Sequence, residues 1–480
     1  MSGIRAKYWK VGLGVVLFAT GPGAYTQVPV TDPAVLPPFR LAEPVADPLN
    51  EHFDDDPVVR HLNAAAETAF FQQQLGDAVR RNTRIDQARA LRVEAEAARR
   101  EARSDLFPTL DLGLSTRTSF AREFSNDPDN LIERSRSTSR TDATFSLQQR
   151  VLDFGAASMR IAAARQRIIS ASHELENQAE QVALRAIAAW YDVFAYRSLV
   201  MLAGQVLENY ETLREALQER IASGVSAAGD LAQIDSYIAN IETQLAGARR
   251  ELANAEVRYI DFFGTPAPVG LSRAPLIGGR FASIEAVQSA ALANPQVDIA
   301  AADARAALQE ARAARAETLP TVTAGVEGGR FGIFENENDY DVRGTITVRH
   351  RFFGGGDARA DGAAARARGA EARAAGIREE AVRQAVIAWT DLNALRDQLD
   401  AASDAYFAGR QSRDVILERF RYSRGSLFEV ISAEDTFFSA ANSYLRTVNE
   451  YDIAHYLLLA RTGRLLSSLD IDPGTLAEPR

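Results

Sequence analysis

Two stretches of this 480-residue chain, beginning near residues 156 and 356, carry small or apolar residues at unbroken seven-residue spacing. Each runs for more than about 60 residues without a proline, long enough to hold many turns of helix. In the first, Ile161, Ile168, Leu175, Val182, Ala189, Tyr196, Ala203 and Tyr210 share one register. In the second, Ala360, Ala367, Ala374, Ala381, Ala388, Leu395, Ala402, Gly409 and Ile416 do the same. A sustained period of seven predicts a left-handed coiled coil, and the alanines predict close approach of the helices. At 1.5 Å per residue, each helix spans on the order of 100 Å, which excludes an ordinary compact domain.

The two stretches belong to a tandem duplication. "LGDAVRRNTRIDQARA" with "LFPTLDLGLS" answers to "IEAVQSAALANPQVDIAA" with "TLPTVTAGVE"; Asn82 matches Asn294 and Pro108 matches Pro320 at one offset. "AIAAWYDV" answers to "AVIAWTDL", and "ERIASGVSAAGDL" to "ERFRYSRGSLFEV". Each unit opens with an Ala- and Arg-rich helix of about nine turns that ends at the proline, since proline removes a donor and forces its predecessor toward extended geometry. Strict alternation follows: Leu110, Leu112 and Leu114, then Ala143, Phe145 and Leu147; in the second unit Val322, Ala324 and Val326, then Val342, Ile346 and Val348. Period two over about 10 residues predicts strands of membrane-spanning length, although an antiparallel hairpin packed on a soluble core has the same pattern. The glycine-bearing interruptions after each long helix are hairpin turns from which a second helix returns. "FFGGGD" is a strand-to-helix turn with Asp357 as its expected cap, because no Lys-Ser/Thr follows it as a phosphate loop requires.

The remaining composition narrows the function. There is no cysteine, so thiolate metal sites, disulfides and a cysteine nucleophile are excluded. The net charge of −10 opposes general nucleic-acid binding. The five histidines show no metal-ligand spacing, and the helix carboxylates recur as solvated faces, so no cofactor, metal or catalytic residue is assigned. Arg5, Lys7 and Lys10 before "VGLGVVLFA" have the layout of a secretory signal peptide. No later stretch reads as a transmembrane helix, so any membrane crossing is by a β-barrel. The expected organisation is a signal peptide over 1–26, a Pro- and acid-rich linker over 27–65, one repeat over 66–264, a linker over 265–283, the second repeat over 284–463 and a tail over 464–480.

Two copies of helix, strand, strand, long helix, tip and returning helix behind a signal peptide resemble the TolC family of outer membrane efflux and secretion ducts. The resemblance implies a membrane α+β fold: a trimeric β-barrel of about twelve strands, four per chain, continuous with a long periplasmic α-helical coiled-coil barrel. It implies a homotrimer in outer membrane lipid that passes cargo from an inner membrane ABC or proton-driven transporter through a periplasmic adaptor protein. It also implies an acidic ring at Glu429 where the helical barrel narrows, Asp230 at the place of an aspartate that contacts the tyrosine matching Tyr422, and adaptor docking on the turns Gly224-Val225 and Gly425-Ser426. The segment from Arg419 to Gly463 is more similar to the branch serving type I protein secretion than to multidrug efflux. By charge alone, an acidic residue at Glu429 or Asp230 equally suits the N-terminus of a returning helix. A periplasmic coiled-coil scaffold without a channel explains the heptads and leaves the strands without a purpose.

Overall fold

The computed structural model describes residues 40–480 apart from 46–47, 49–52, 54, 126–136, 224–227, 336–338, 423–424 and 479–480. The expected signal peptide and most of the linker after it lie outside the described residues. The elements run α1 (Pro57–Asn63), α2 (Thr68–Arg81), α3 (Thr83–Ser104), β1 (Thr109–Thr118), β2 (Ser139–Leu152), α4 (Ala156–Ala222), α5 (Ala228–Phe263), α6 (Ile284–Ala291), α7 (Pro295–Ala316), β3 (Thr321–Phe331), β4 (Tyr340–Arg349), α8 (Gly356–Arg421), α9 (Leu427–Arg461), α10 (Leu465–Ser468) and α11 (Pro473–Leu476). The duplication is plain in this order, with α4 and α8 of 67 and 66 residues as the long helices.

The helix expected ahead of each first strand is two helices. Asn82 and Asn294 have extended backbones, and their side chains accept hydrogen bonds from Arg84 N and Gln296 N, each at 3.0 Å. An asparagine that caps the next helix supplies an acceptor for an otherwise unpaired donor, so the break costs little. Pro295 fits the first helical position, where its missing N–H is not needed. The strands then begin at Thr109 and Thr321, directly after Pro108 and Pro320.

Each long helix starts from a glycine in the left-handed region, Gly155 (φ 86°) or Gly355 (φ 69°). In the first repeat Asp153 reaches across that turn to accept from Gly155 N at 2.9 Å and Ala157 N at 2.8 Å. Asp357 is not the corresponding cap: it lies inside the first turn of α8 and pairs with Arg315 at 3.4 Å, because the N-cap position is taken by Gly355.

Both α7 and α9 touch α4 and α8, and α3 and α5 also pack on α4. Being covered from several sides goes with an apolar middle in α4, where Val182, Ala183, Ala186, Ile187, Trp190 and Val193 are buried, while both ends of the helix carry charged residues. It is the one described helix long and apolar enough to cross a membrane, contrary to the expectation of none, and 67% of that apolar window is buried within the fold. Its centre is Trp190, buried among Phe71, Tyr259 and Phe263 with ring centroids 5.2–6.0 Å away, and its indole donates to Ser272 O at 3.0 Å. The repeat-equivalent Trp389 is only partly buried, beside the small cluster of Val287, Ala291, Ala385, Ala388 and Leu458.

Described residues of the stretches expected as linkers pack on this core. Arg273, between the repeats, forms a bidentate pair with buried Asp452 of α9 at 2.6 and 2.7 Å and donates to Leu62 O at 2.9 Å. Ala66 N donates to Arg273 O at 2.8 Å, which ties the start of the first repeat to the same segment. Past α9, Leu465, Leu466, Leu469 and Leu476 of the C-terminal tail are buried in the same core.

Candidate functional site: the strand sheet and the helical tips

The four strands form one antiparallel sheet in the order β1-β2-β3-β4, so the two hairpins are joined through β2 and β3. The register puts Leu110 opposite Leu147, Leu112 opposite Phe145, Leu147 opposite Val326, Ala324 opposite Ile346, and Val322 opposite Val348. Side chains alternate across a strand, so these residues share one face. The other face pairs Asp111 with Ser146, Ser146 with Glu327, Glu327 with Arg343, and Thr323 with Thr347. One face is apolar and the other is polar.

The apolar face is bare. Leu112 is 77% exposed and Ile346 79%, and Leu110, Leu114, Val342 and Val348 are exposed as well. A hairpin packed on a soluble core would bury this face, and among the described residues no helix covers it. Gly328 leaves room on it for a neighbour: a Cβ at that position would stand 2.7 Å from the Phe145 ring and 2.9 Å from Asp341 O. The ring of Phe145 lies in the space that the glycine leaves.

Exposed aromatics mark both ends of the strands. Phe107, Phe154, Phe352 and Phe353 stand at the end joined to the helices, and Phe120, Phe334 and Tyr340 at the other. Phe154 and Phe353 occupy equivalent turns with left-handed backbones, φ 52° and 58°. That conformation is unfavourable for a residue with a bulky side chain, and both repeats retain it where an aromatic ring is presented to the exterior. Strands of about 10 residues, rising about 3.3 Å each, hold the two aromatic levels on the order of 30 Å apart along the strands.

At the far end of the long helices are the two reversals. In the first, Gly224 and Val225 lie outside the described residues, and Asp230 is half-buried in the first turn of α5. In the second, Tyr422 closes α8 as its C-cap with its side chain 71% exposed. Gly425 then leads into Ser426, the N-cap of α9. Ser426 Oγ accepts from Glu429 N and Glu429 Oε2 accepts from Ser426 N, both at 3.2 Å, forming a reciprocal capping box. Glu429 is thus exposed and fixed at the start of the returning helix, with Phe428 outward and Val430 buried. The tips of the two repeats touch within one chain, where the Arg220 guanidinium lies over the Phe420 ring at 5.1 Å.

Sequence reasoning missed a group of contacts around Asp56 at the edge of the core cluster that holds Tyr406. Asp56 is fully buried and accepts from the Tyr406 hydroxyl at 3.0 and 2.9 Å and from Arg410 Nη1 at 2.6 Å. Burial and the Asp56 carboxylate push the Tyr406 hydroxyl well above its usual range. The available signal was "DDP", an acid before a proline, which is the pattern of an N-cap followed by the first helical position.

The sequence matches the family described as "Outer membrane efflux protein" over residues 75–264 and 286–464. It is 23% identical over 341 residues to the outer membrane efflux protein BepC of Brucella suis biovar 1 (strain 1330), covering 68% of this chain and 73% of that protein. It is 29% identical over 265 residues to the pyoverdine export outer membrane protein OpmQ of Pseudomonas putida KT2440, covering 53% of this chain and 56% of that protein. The fold is similar to that of the outer membrane protein VceC of Vibrio cholerae, with a TM-score of 0.72 at 18% identity, covering 82% of this chain and 96% of that one. Fold and family are those of outer membrane channels, and the helical part extends into the periplasm. With most of both repeats matched, the chain belongs to the outer membrane efflux protein family and resides in the outer membrane.

Proposed function

We propose that three copies of this chain close their sheets edge to edge into one barrel of about twelve strands and act as the exit duct of a trans-envelope export system. The observation that carries this reading is the sheet with one bare apolar face, one polar face and, among the described residues, two unpaired edges, β1 and β4. In lipid, unpaired strand edges leave backbone donors and acceptors unsatisfied, and four strands are too few to close a barrel alone. Closure by neighbouring copies puts the apolar face toward lipid and Asp111, Glu327 and Arg343 toward an aqueous lumen. The long helices continue that lumen for about 100 Å into the periplasm.

No group in this reading supplies energy, so an inner membrane transporter, ATP- or proton-driven, and a periplasmic adaptor complete the system. The turns at Gly224-Val225 and Gly425-Ser426 are the proposed docking points for the adaptor. Glu429, Asp230 and Tyr422 are the proposed aperture residues: repeated around a three-fold axis, Glu429 gives a focused negative field that favours cations.

For cargo, the relatives named for efflux and for pyoverdine export favour small-molecule efflux. Protein secretion is the second reading, favoured by the segment from Arg419 to Gly463. The test is deletion of the gene and complementation. Export of small toxic compounds lost on deletion supports efflux, loss of one large secreted protein supports type I secretion, and release of the wild-type protein by osmotic shock overturns the duct.

A further inference from the structure

The described residues between 41 and 63 connect the long helix of one repeat to that of the other. On α4, Leu41 N donates to Gln205 Oε1, the His61 ring bonds Ser198 Oγ at 2.8 Å, and the same ring stacks on Phe194 with centroids 5.0 Å apart. On α8, Asp56 receives Tyr406 and Arg410, Arg413 Nη2 donates to Ala42 O at 2.8 Å, Val45 N donates to Asp414 Oδ2 at 3.4 Å, and Gln411 donates to Pro48 O at 3.1 Å. Phe53 packs on Phe407 at 4.6 Å, with the Arg410 guanidinium over its ring.

These contacts are built rather than incidental. Asp56 is 1% exposed, Arg413 is likewise buried, and Leu41, Val58 and Leu62 enter the core shared with Leu199, Leu202 and Tyr406. Asp56 also caps α1 by accepting from Val58 N at 2.8 Å and Val59 N at 3.0 Å, so one carboxylate holds the local helix and the distant pair together. Gln205 and Tyr406 both lie about 15 to 17 residues before the ends of their helices, roughly 25 Å from the tips.

We infer that this segment is a clasp that fastens the second repeat's tip hairpin, α8 with α9, to α4 of the first, and so restrains the periplasmic end of the duct against opening. The clasp rests on the proposed duct for its consequence but not for its existence. The hairpin also packs on α4 through α9 and meets the first tip where Arg220 lies over Phe420, and the clasp adds a buried polar bridge to these contacts, so that the hairpin moves with its neighbour or after the bridge is released. The polar links are suited to this, because a buried carboxylate with both charged and neutral donors is lost as a unit when the segment lifts.

The test compares Asp56→Ala, the near-isosteric Tyr406→Phe, and the exposed neighbour change Asp55→Ala as control, in detergent-solubilised full-length protein. Hydrogen exchange at the tip amides of α8 and α9 is expected to quicken about tenfold or more in Asp56→Ala and less in Tyr406→Phe. Closed-state conductance in planar bilayers is expected to rise several-fold in the same order. Exchange and conductance equal to wild type in Tyr406→Phe overturn the clasp, including the case where Asp56→Ala does not assemble. A wild-type protein that forms no channel overturns the duct instead, and the exchange measurement still decides the clasp.

Discussion

At the scale of single residues, the most informative position is Glu429, because two physical roles for it now compete on one side chain. The capping box uses its carboxylate to close a helix, while the proposed aperture uses its charge. Glu429→Gln separates them, since an amide oxygen still accepts from Ser426 N but carries no charge. If Glu429 sets the field, both Gln and Ala variants lose cation selectivity in bilayers, and only Ala lowers thermal stability, by about 0.5–2 kcal/mol. Selectivity unchanged in the Gln variant removes Glu429 from the aperture. His61 gives a second prediction. Burial lowers its pKa from 6.5 to about 4, so the folded protein holds it neutral. Between those values the unfolded chain binds the extra proton, so the contribution is complete above pH 6.5 and is lost as pH falls toward 4, by up to about 3 kcal/mol. A His61→Gln variant should flatten that part of the stability profile, and an unchanged slope would assign it to other groups.

At the scale of elements, the repeat is exact in order and unequal in use. Trp190 organises a deep core and Trp389 a shallow one, because α4 is covered by α3, α5, α7 and α9 whereas α8 lacks that many neighbours within the chain. The helix breaks at Asn82 and Asn294 are shared, but Asn294 also donates to Ala460 O at 3.1 Å and so ties α7 to the end of α9. Asn294→Ala is expected to cost about 1–3 kcal/mol in thermal or denaturant unfolding, more than Asn82→Ala, because it loses both a cap and the partly buried bond to Ala460 O. Equal costs would mean the interhelix bond contributes nothing. In the sheet, Gly328→Ala is expected to loosen the strands, since the added methyl meets both a ring and a carbonyl below 3.0 Å. A lowered dissociation temperature of the assembled protein in detergent is the readout.

At the scale of the whole molecule, the apolar face and unpaired edges of the sheet demand partners that a single chain does not contain. The natural absence of cysteine makes this testable without a background: paired cysteines along β1 and β4 should cross-link between copies into covalent trimers in membranes. Cross-linking confined to one chain, or dimers as the end product, would exclude the proposed closure. The exposed aromatics at both strand ends make the further expectation that Phe353 and Phe120 quench by lipid-borne probes at two depths when replaced by tryptophan. The same scale decides what the N-terminal segment does, for its contacts span residues about 350 apart in sequence, as Asp56 and Tyr406 are.

The sequence by itself determined everything with a local period: the heptads of the long helices, the alternation of the strands, the prolines that hand helix to strand, and the duplication that orders them. These are legible because a side chain's direction in a helix or strand follows from its position in the repeat. It also placed Glu429 just after a reversal, between Phe428 and Val430. Only the tertiary structure decided that the two hairpins form one sheet with a bare apolar face, that the apolar middle of α4 is enclosed, and that described residues of a proline- and acid-rich stretch, Leu41, Ala42 and Asp56 among them, are buried against both long helices. Composition described the average solvation of that stretch, but burial of Asp56 depends on Tyr406 and Arg410 arriving from the other repeat, and no local pattern encodes a partner so distant along the chain.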